Sequence, residues 1–169
     1  IGSGTILAAE MALARVPGLL LGEVWAECIT QMSMAQGSAA AILAPVARAM
    51  TDVTGFGLAG HLLEMLEASG AAARLRLDAV PMLPGAVELA GAGMGSSLQP
   101  ANLAAVSWRM EAPQDVRVAL LTDPQTCGGL LASVPSGEAE ALVAALRAVG
   151  HRAAVIGEVV AGTPHLAVV

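Results

Sequence analysis

The run Ala49–Gly70 constrains the fold more than any other stretch of this chain. Ala49–Val53 reads as a short strand, and it passes directly into Thr54-Gly55-Phe56-Gly57, whose two glycines permit a sharp turn. Beyond the turn, Leu58, Leu62, Met65 and Leu66 recur at helical spacing, and Gly70 closes the stripe. Strand, tight turn and helix therefore follow in fixed order, with Asp52 at the strand's end. A carboxylate placed there is a hard oxygen ligand of the kind Mg²⁺ takes one or two at a time, water and phosphate oxygens completing its shell. The helix that follows offers unpaired N–H groups to an anion. Asp52 is thus the candidate metal ligand, and Thr51, Thr54, Gly55 and Gly57 are candidates for lying near a phosphate. The plainer alternative is that Asp52 satisfies the turn and Thr54 caps the helix.

Other elements are placed around this one. Thr5–Ala14 fits strand or helix, and Pro17-Gly18 breaks it. Val24, Cys28, Met32 and Ala35 recur at helical spacing within Leu21–Ala35, and a second Ala-rich helix lies between Gly37 and Pro45. Ala73–Leu77 alternates Leu75 and Leu77 with Arg74 and Arg76, as a half-buried strand does. A loop-rich region with one or two short helices follows, in which the Gly- and Ser-rich segment 91–102 is a candidate mobile lid. Val116–Leu121 and Leu130–Val134 read as strands, Glu138–Val149 as a helix opened by Ser136 and closed by Gly150, and Ala153–Val159 and His165–Val169 as the last strands. The elements mix without strict alternation. The expected fold is α+β, one domain over residues 1–169, with helices packed on a mainly antiparallel sheet.

A second turn dense in structure-breaking residues, Asp123-Pro124-Gln125-Thr126-Cys127-Gly128-Gly129, separates two of these segments. Asp123 before Pro124 is expected to organise the turn. Cys127 has no His close by in sequence and no cationic neighbour to activate its thiol, so it reads as structural. His61 reads as a packing residue of its helix, and Arg74 and Arg76 as a solvated strand face.

Composition narrows the function. Eight Lys plus Arg against fourteen Asp plus Glu give a formal charge of −6, and no Lys is present. A Walker lysine, a Schiff-base lysine and a Lys-rich nucleic-acid surface are therefore excluded, and three aromatic residues make no base-stacking platform. Hydrophobic types reach 56%, but the long charge-free runs 28–47 and 89–108 carry Gln, Ser, Gly and Pro, unlike a membrane span. Two cysteines do not make a disulfide framework, so the expected setting is cytoplasmic, with neither nucleic acid nor membrane as partner. The chain opens on Ile1, and the expectation is a fragment of a longer protein.

The chain resembles the C-terminal domain of the selenophosphate synthetases, or selenide, water dikinases, within the superfamily of aminoimidazole ribonucleotide synthase. The resemblance spans nearly the whole sequence: Gly2-Ser3-Gly4-Thr5 at its entry, Thr51-Asp52-Val53-Thr54-Gly55-Phe56-Gly57-Leu58 with Gly60-His61-Leu62, Asp123-Pro124-Gln125-Thr126 with Gly128-Gly129-Leu130-Leu131, and Ile156-Gly157-Glu158-Val159. Phe56 favours the selenide enzymes over their relatives. The resemblance implies ATP-dependent formation of selenophosphate from selenide, with AMP and phosphate as the other products and with Mg²⁺ and K⁺ assisting. It also implies a homodimer and an N-terminal domain carrying the catalytic Cys or selenocysteine, a catalytic Lys and most ATP contacts. No catalytic residue is then expected in this chain, which would be inactive alone, and Asp52 becomes the ligand that completes a carboxylate cluster around Mg²⁺ and the ATP phosphates. The alternatives are a superfamily member acting on a purine precursor or an amide, and a non-catalytic interaction domain.

Overall fold

The computed structural model describes residues 1–13, 18 and 21–169. Helices α1 (Ser3–Ala12), α2 (Gly22–Met32) and α3 (Gly37–Leu43) come first. Strand β1 (Ala49–Asp52), helix α4 (Gly57–Ser69) and strand β2 (Ala71–Leu75) follow, then the short helices α5 (Ala86–Gly91) and α6 (Gln99–Val106). Strand β3 (Met110–Glu111), helix α7 (Arg117–Leu121), strand β4 (Leu130–Ser133), helix α8 (Ala139–Ala148) and strands β5 (Gly157–Ala161) and β6 (Leu166–Val168) complete the order.

The strands form two sheets. β1 pairs antiparallel with β4, Asp52 opposite Leu130. A second sheet runs in the order β3, β6, β2, β5. β2 and β5 are antiparallel, whereas β6 lies parallel to both β2 and β3. The two longer ladders are thus antiparallel and the two shorter ones parallel, and the α+β architecture is the expected one.

Small side chains set how closely the pieces approach. Ala59 on α4 is fully buried beside Leu58, Leu62, Leu63 and Leu66, which pack on Leu75 and Leu166 of the larger sheet and on Leu121. Each leucine fully removed from water contributes roughly 1.5–3 kcal/mol, so this stripe fixes the helix that opens just after Asp52. A second apolar cluster joins α1, α2, α5 and α7 through Ile6, Ala9, Cys28, Ala86, Leu89 and Leu120. A third joins α3 to α8 through Ala39, Leu43 and Leu146, with Leu130 and Ala132 of β4 against it.

Several expected elements take a different form. Val116–Leu121 is helical from Arg117, not a strand. Its alternating apolar pattern is overridden by Asp115, whose Oδ1 accepts the Arg117 N–H at 2.8 Å and so satisfies a free donor at the start of a turn. The strand expected at Ala73–Leu77 lies at Ala71–Leu75, and Leu77 begins a 3₁₀ turn. The strand expected at Ala153–Val159 joins its ladder only at Gly157, because Arg147 and Arg76 take the carbonyls of Ala153 and Val155. Ser136 sits within a 3₁₀ turn ahead of α8 and caps nothing with its side chain. Segment 5–14 resolves as helix up to Ala12, and Pro17 of the expected break lies outside the described residues.

Candidate functional site

The alternation of β1 decides which way Asp52 faces. Ala49 and Thr51 are half-buried, Met50 and Asp52 exposed, so the carboxylate leaves the sheet on its solvent side. No described cation forms an ion pair with it. Val53 then turns inward, buried, and its N–H donates to the Gly129 carbonyl at 3.0 Å.

The turn after Asp52 is locked by the second Gly-rich motif. The Thr54 carbonyl accepts the N–H of Gly57 at 3.0 Å and the N–H of Gln125 at 2.9 Å. A Cβ on Gly128 would stand 2.1 Å from the Val53 carbonyl oxygen, so only glycine lets the two motifs touch. Gly57 has φ +71°, and a Cβ there would lie 2.7 Å from the Leu121 carbonyl oxygen. Gly55 differs: a Cβ would meet nothing within 4 Å, which leaves open room above the turn.

Helix α6 closes one side of this turn. The Asn102 Nδ2 group donates to the Gly55 carbonyl at 2.8 Å and to the Thr122 carbonyl at 3.0 Å, while Gln99 donates to the Thr122 hydroxyl at 3.0 Å. The segment read as a candidate lid therefore ends in a helix tied to the site.

Thr54 does not cap α4 with its side chain. Its hydroxyl lies 3.1 Å from His61 Nε2, and His61 Nδ1 lies 2.9 Å from a carboxylate oxygen of Glu64. His61 is buried on α4, as expected of a packing residue, and the exposed Phe56 ring tilts against it at 5.6 Å between centroids.

Asp123 and Gln125 do more than shape their own turn. Asp123 is fully buried and accepts the N–H of Thr5 at 3.0 Å and the Thr5 hydroxyl at 3.1 Å. Gln125 Oε1 accepts the N–H groups of Gly2 and Ser3 at 2.8 and 3.2 Å and the Ser3 hydroxyl at 3.1 Å. The unpaired donors at the start of α1 are thus met by residues 118 to 123 positions away in sequence. Burial pushes the Asp123 carboxyl above the ordinary carboxylate range, against the opposing effect of the Thr5 and Gln125 hydrogen bonds. Cys127, read as structural, is exposed with φ +50°. No signal in the sequence pairs Asp123 with Thr5, but the spacing of Thr54, His61 and Glu64 on a turn and one helix face could have revealed their chain.

The donor set suits a hard cation at Asp52. Among the described residues no group of three or more His, Cys, Asp or Glu could hold a metal alone. One exposed carboxylate matches the few protein ligands Mg²⁺ uses when phosphates and water supply the rest.

Residues 1–168 match the family described as "AIR synthase related protein, C-terminal domain". The chain belongs to that family. It is 45% identical over 124 residues to a selenide, water dikinase of Myxococcus xanthus, covering 72% of this chain and 35% of the relative. It is 49% identical over 120 residues to a selenide, water dikinase of Bordetella bronchiseptica, covering 70% and 34%. The family domain here thus spans about a third of the length of these curated relatives. A thiamine-monophosphate kinase from Stenotrophomonas maltophilia shares the fold, with a TM-score of 0.65 at 16% identity over 98% of this chain and 46% of that one. The resemblance read from the sequence motifs is borne out. No described helix is long and apolar enough to cross a membrane.

Proposed function

We propose that this chain is the C-terminal domain, residues 1–169, of a selenide, water dikinase. The whole enzyme would transfer phosphoryl groups from ATP to selenide and to water, giving selenophosphate, phosphate and AMP. The observation that carries this reading is the Asp52 carboxylate, exposed at the end of β1 beside a turn held rigid by Gly57, Gly128 and Asn102. Gly55 and Gly57 lie in that turn and Thr51 on β1 just before it; a phosphate chain would pass here, and Gly55 leaves space for it. The relatives named selenide, water dikinase support the substrate assignment.

Asp52 would hold Mg²⁺ together with carboxylates of an N-terminal domain. The ion would offset the charge of the phosphates and orient them for in-line attack. The chain's own contribution is positional: the β1–β4 ladder fixes where Asp52 emerges, and the interlocked glycine turns keep the carboxylate from swinging with its loop. The nucleophilic Cys or selenocysteine, the catalytic Lys and the homodimer contact belong to the N-terminal domain in this reading. K⁺ and a cytoplasmic setting come with the same assignment.

Asp52→Asn in the full-length enzyme is the test. Removing a direct ligand should lower activity by more than about 100-fold, beyond the loss typical of an outer-shell partner. The far-UV spectrum and melting temperature should stay close to those of the parent. Wild-type Mg²⁺ dependence in that variant would remove Asp52 from the metal site, and selenide-dependent turnover by the 169-residue chain alone would overturn the division of labour.

A further inference from the structure

The relatives' name specifies two acceptors, selenide and water, and the second needs a group that receives a proton. We infer that Thr54, backed by His61 and Glu64, is the residue that orients and deprotonates the water. The inference rests on the dikinase reading above and adds to it a division between the two transfers.

The direction of the hydrogen bonds carries the idea. A glutamate carboxylate accepts hydrogen bonds, so His61 Nδ1, 2.9 Å from Glu64, must carry the hydrogen. In the neutral ring Nε2 is then an acceptor, and the Thr54 hydroxyl, 3.1 Å away, is its donor. With its proton committed to His61, the Thr54 oxygen presents only lone pairs to its surroundings. Lone pairs repel a phosphate oxygen and attract a water hydrogen. Thr54 therefore suits water better than the phosphate to which the sequence pattern assigned it.

The position fits the task. Thr54 lies two residues beyond Asp52, its carbonyl is fixed by two N–H donors, and the neighbouring Gly55 leaves the space above the turn open. The buried His61 is held on one side by Glu64, and the Phe56 ring is tilted beside it. The order carboxylate, imidazole, hydroxyl is the one by which an oriented base takes a hydroxyl's own proton, and an oxygen so relieved can accept a proton from water.

The step balances. A bond forms between the water oxygen and a phosphorus of ADP, the bond from that phosphorus to the oxygen of the AMP leaving group breaks, and AMP departs with the electron pair. One water proton passes to Thr54 Oγ1 as the hydroxyl's own proton passes to His61 Nε2. Nothing is oxidised or reduced.

The experiment quenches the full-length enzyme during turnover with ATP, Mg²⁺ and selenide and measures ADP, AMP and selenophosphate. Thr54→Val and His61→Gln should slow AMP formation by about 100-fold, the low end for losing general-base assistance. ADP should accumulate while selenophosphate still forms, and Thr54→Ser should restore the parental ADP-to-AMP ratio. A ratio unchanged in Thr54→Val and His61→Gln, with all products falling together, would overturn the inference and leave a purely structural chain. Absence of selenide-dependent turnover in the parent enzyme would instead overturn the dikinase reading. Nitrogen NMR of the wild-type histidines gives a readout free of variants: His61 should be the Nδ1–H tautomer, and an Nε2–H tautomer would reverse the hydrogen bonds and sink the proposal.

Discussion

The carboxylate of Asp123 receives both the N–H and the hydroxyl of Thr5, at 3.0 and 3.1 Å, across 118 positions of sequence. Gln125 donates to the same carboxylate at 3.0 Å but also to the Asp123 carbonyl at 2.7 Å, so Asp123→Ala would strand the two Thr5 donors and cost Gln125 one bond, in a site without access to water. Each buried orphan costs about 1–3 kcal/mol, and the variant should lose roughly 3–5 kcal/mol in denaturant unfolding. Asp123→Asn should be far milder, because the amide oxygen can accept from Thr5 N–H and Gln125 while its NH₂ group faces the Thr5 hydroxyl oxygen.

The same residue sets a pH dependence. Burial raises the Asp123 carboxyl above the usual range despite the Thr5 and Gln125 hydrogen bonds, so the native state binds its proton more tightly than the unfolded chain does. Its stabilising effect is complete below the ordinary carboxylate pKa and is lost as pH rises through the native value. Asp123→Asn should remove that downward slope from a plot of unfolding free energy against pH.

Asp115 has the opposite sign. Hydrogen bonds from the Arg117 side chain and main chain lower its pKa from 3.8 to about 2. Its contribution is therefore present above pH 3.8 and lost as pH falls through about 2. A carbon-detected NMR titration should find this midpoint, and Arg117→Ala should return it towards the ordinary value.

The two glycines of the site turn should respond differently. Gly57→Ala forces a side chain into a left-handed conformation against the Leu121 carbonyl and should cost more than about 2 kcal/mol. Gly55→Ala meets no atom within 4 Å, and its melting temperature should barely move.

The thiols give a simple check of the packing. Cys127 is exposed and Cys28 is buried, its thiol pushed up by burial. A disulfide reagent should modify one thiol at once under native conditions and the second only on unfolding. Relief of the positive φ should make Cys127→Gly stabilising by about 0.5–1 kcal/mol, net of glycine's greater chain entropy.

Much of the local structure was legible where pattern and punctuation agreed. β1, the turn at Gly55 and Gly57, and α4 follow from an apolar stripe that begins just beyond two glycines, and β4 and α8 follow similarly. Val116–Leu121 misled because Val116, Val118 and Leu120 alternate as in a strand, while the outcome was decided by one side-chain acceptor, Asp115. Asp52 could be picked out as a candidate because a carboxylate at a strand end needs only local sequence to be recognised. The clasp of Thr5 by Asp123 could not, since a buried carboxylate and a turn-forming one look alike until the chain has brought α1 to it. The exposure of Cys127 was not legible for a related reason: the turn allows close contact at Gly128 while its neighbour faces outward.

Gly128 rests against the Val53 carbonyl so tightly that the two loops share a single set of permitted shapes. Genetic drift in one is consequently answerable to the other. A side chain gained at position 128 would displace the strand end that presents Asp52, so a lesion in the later loop would register as a fault in the earlier one.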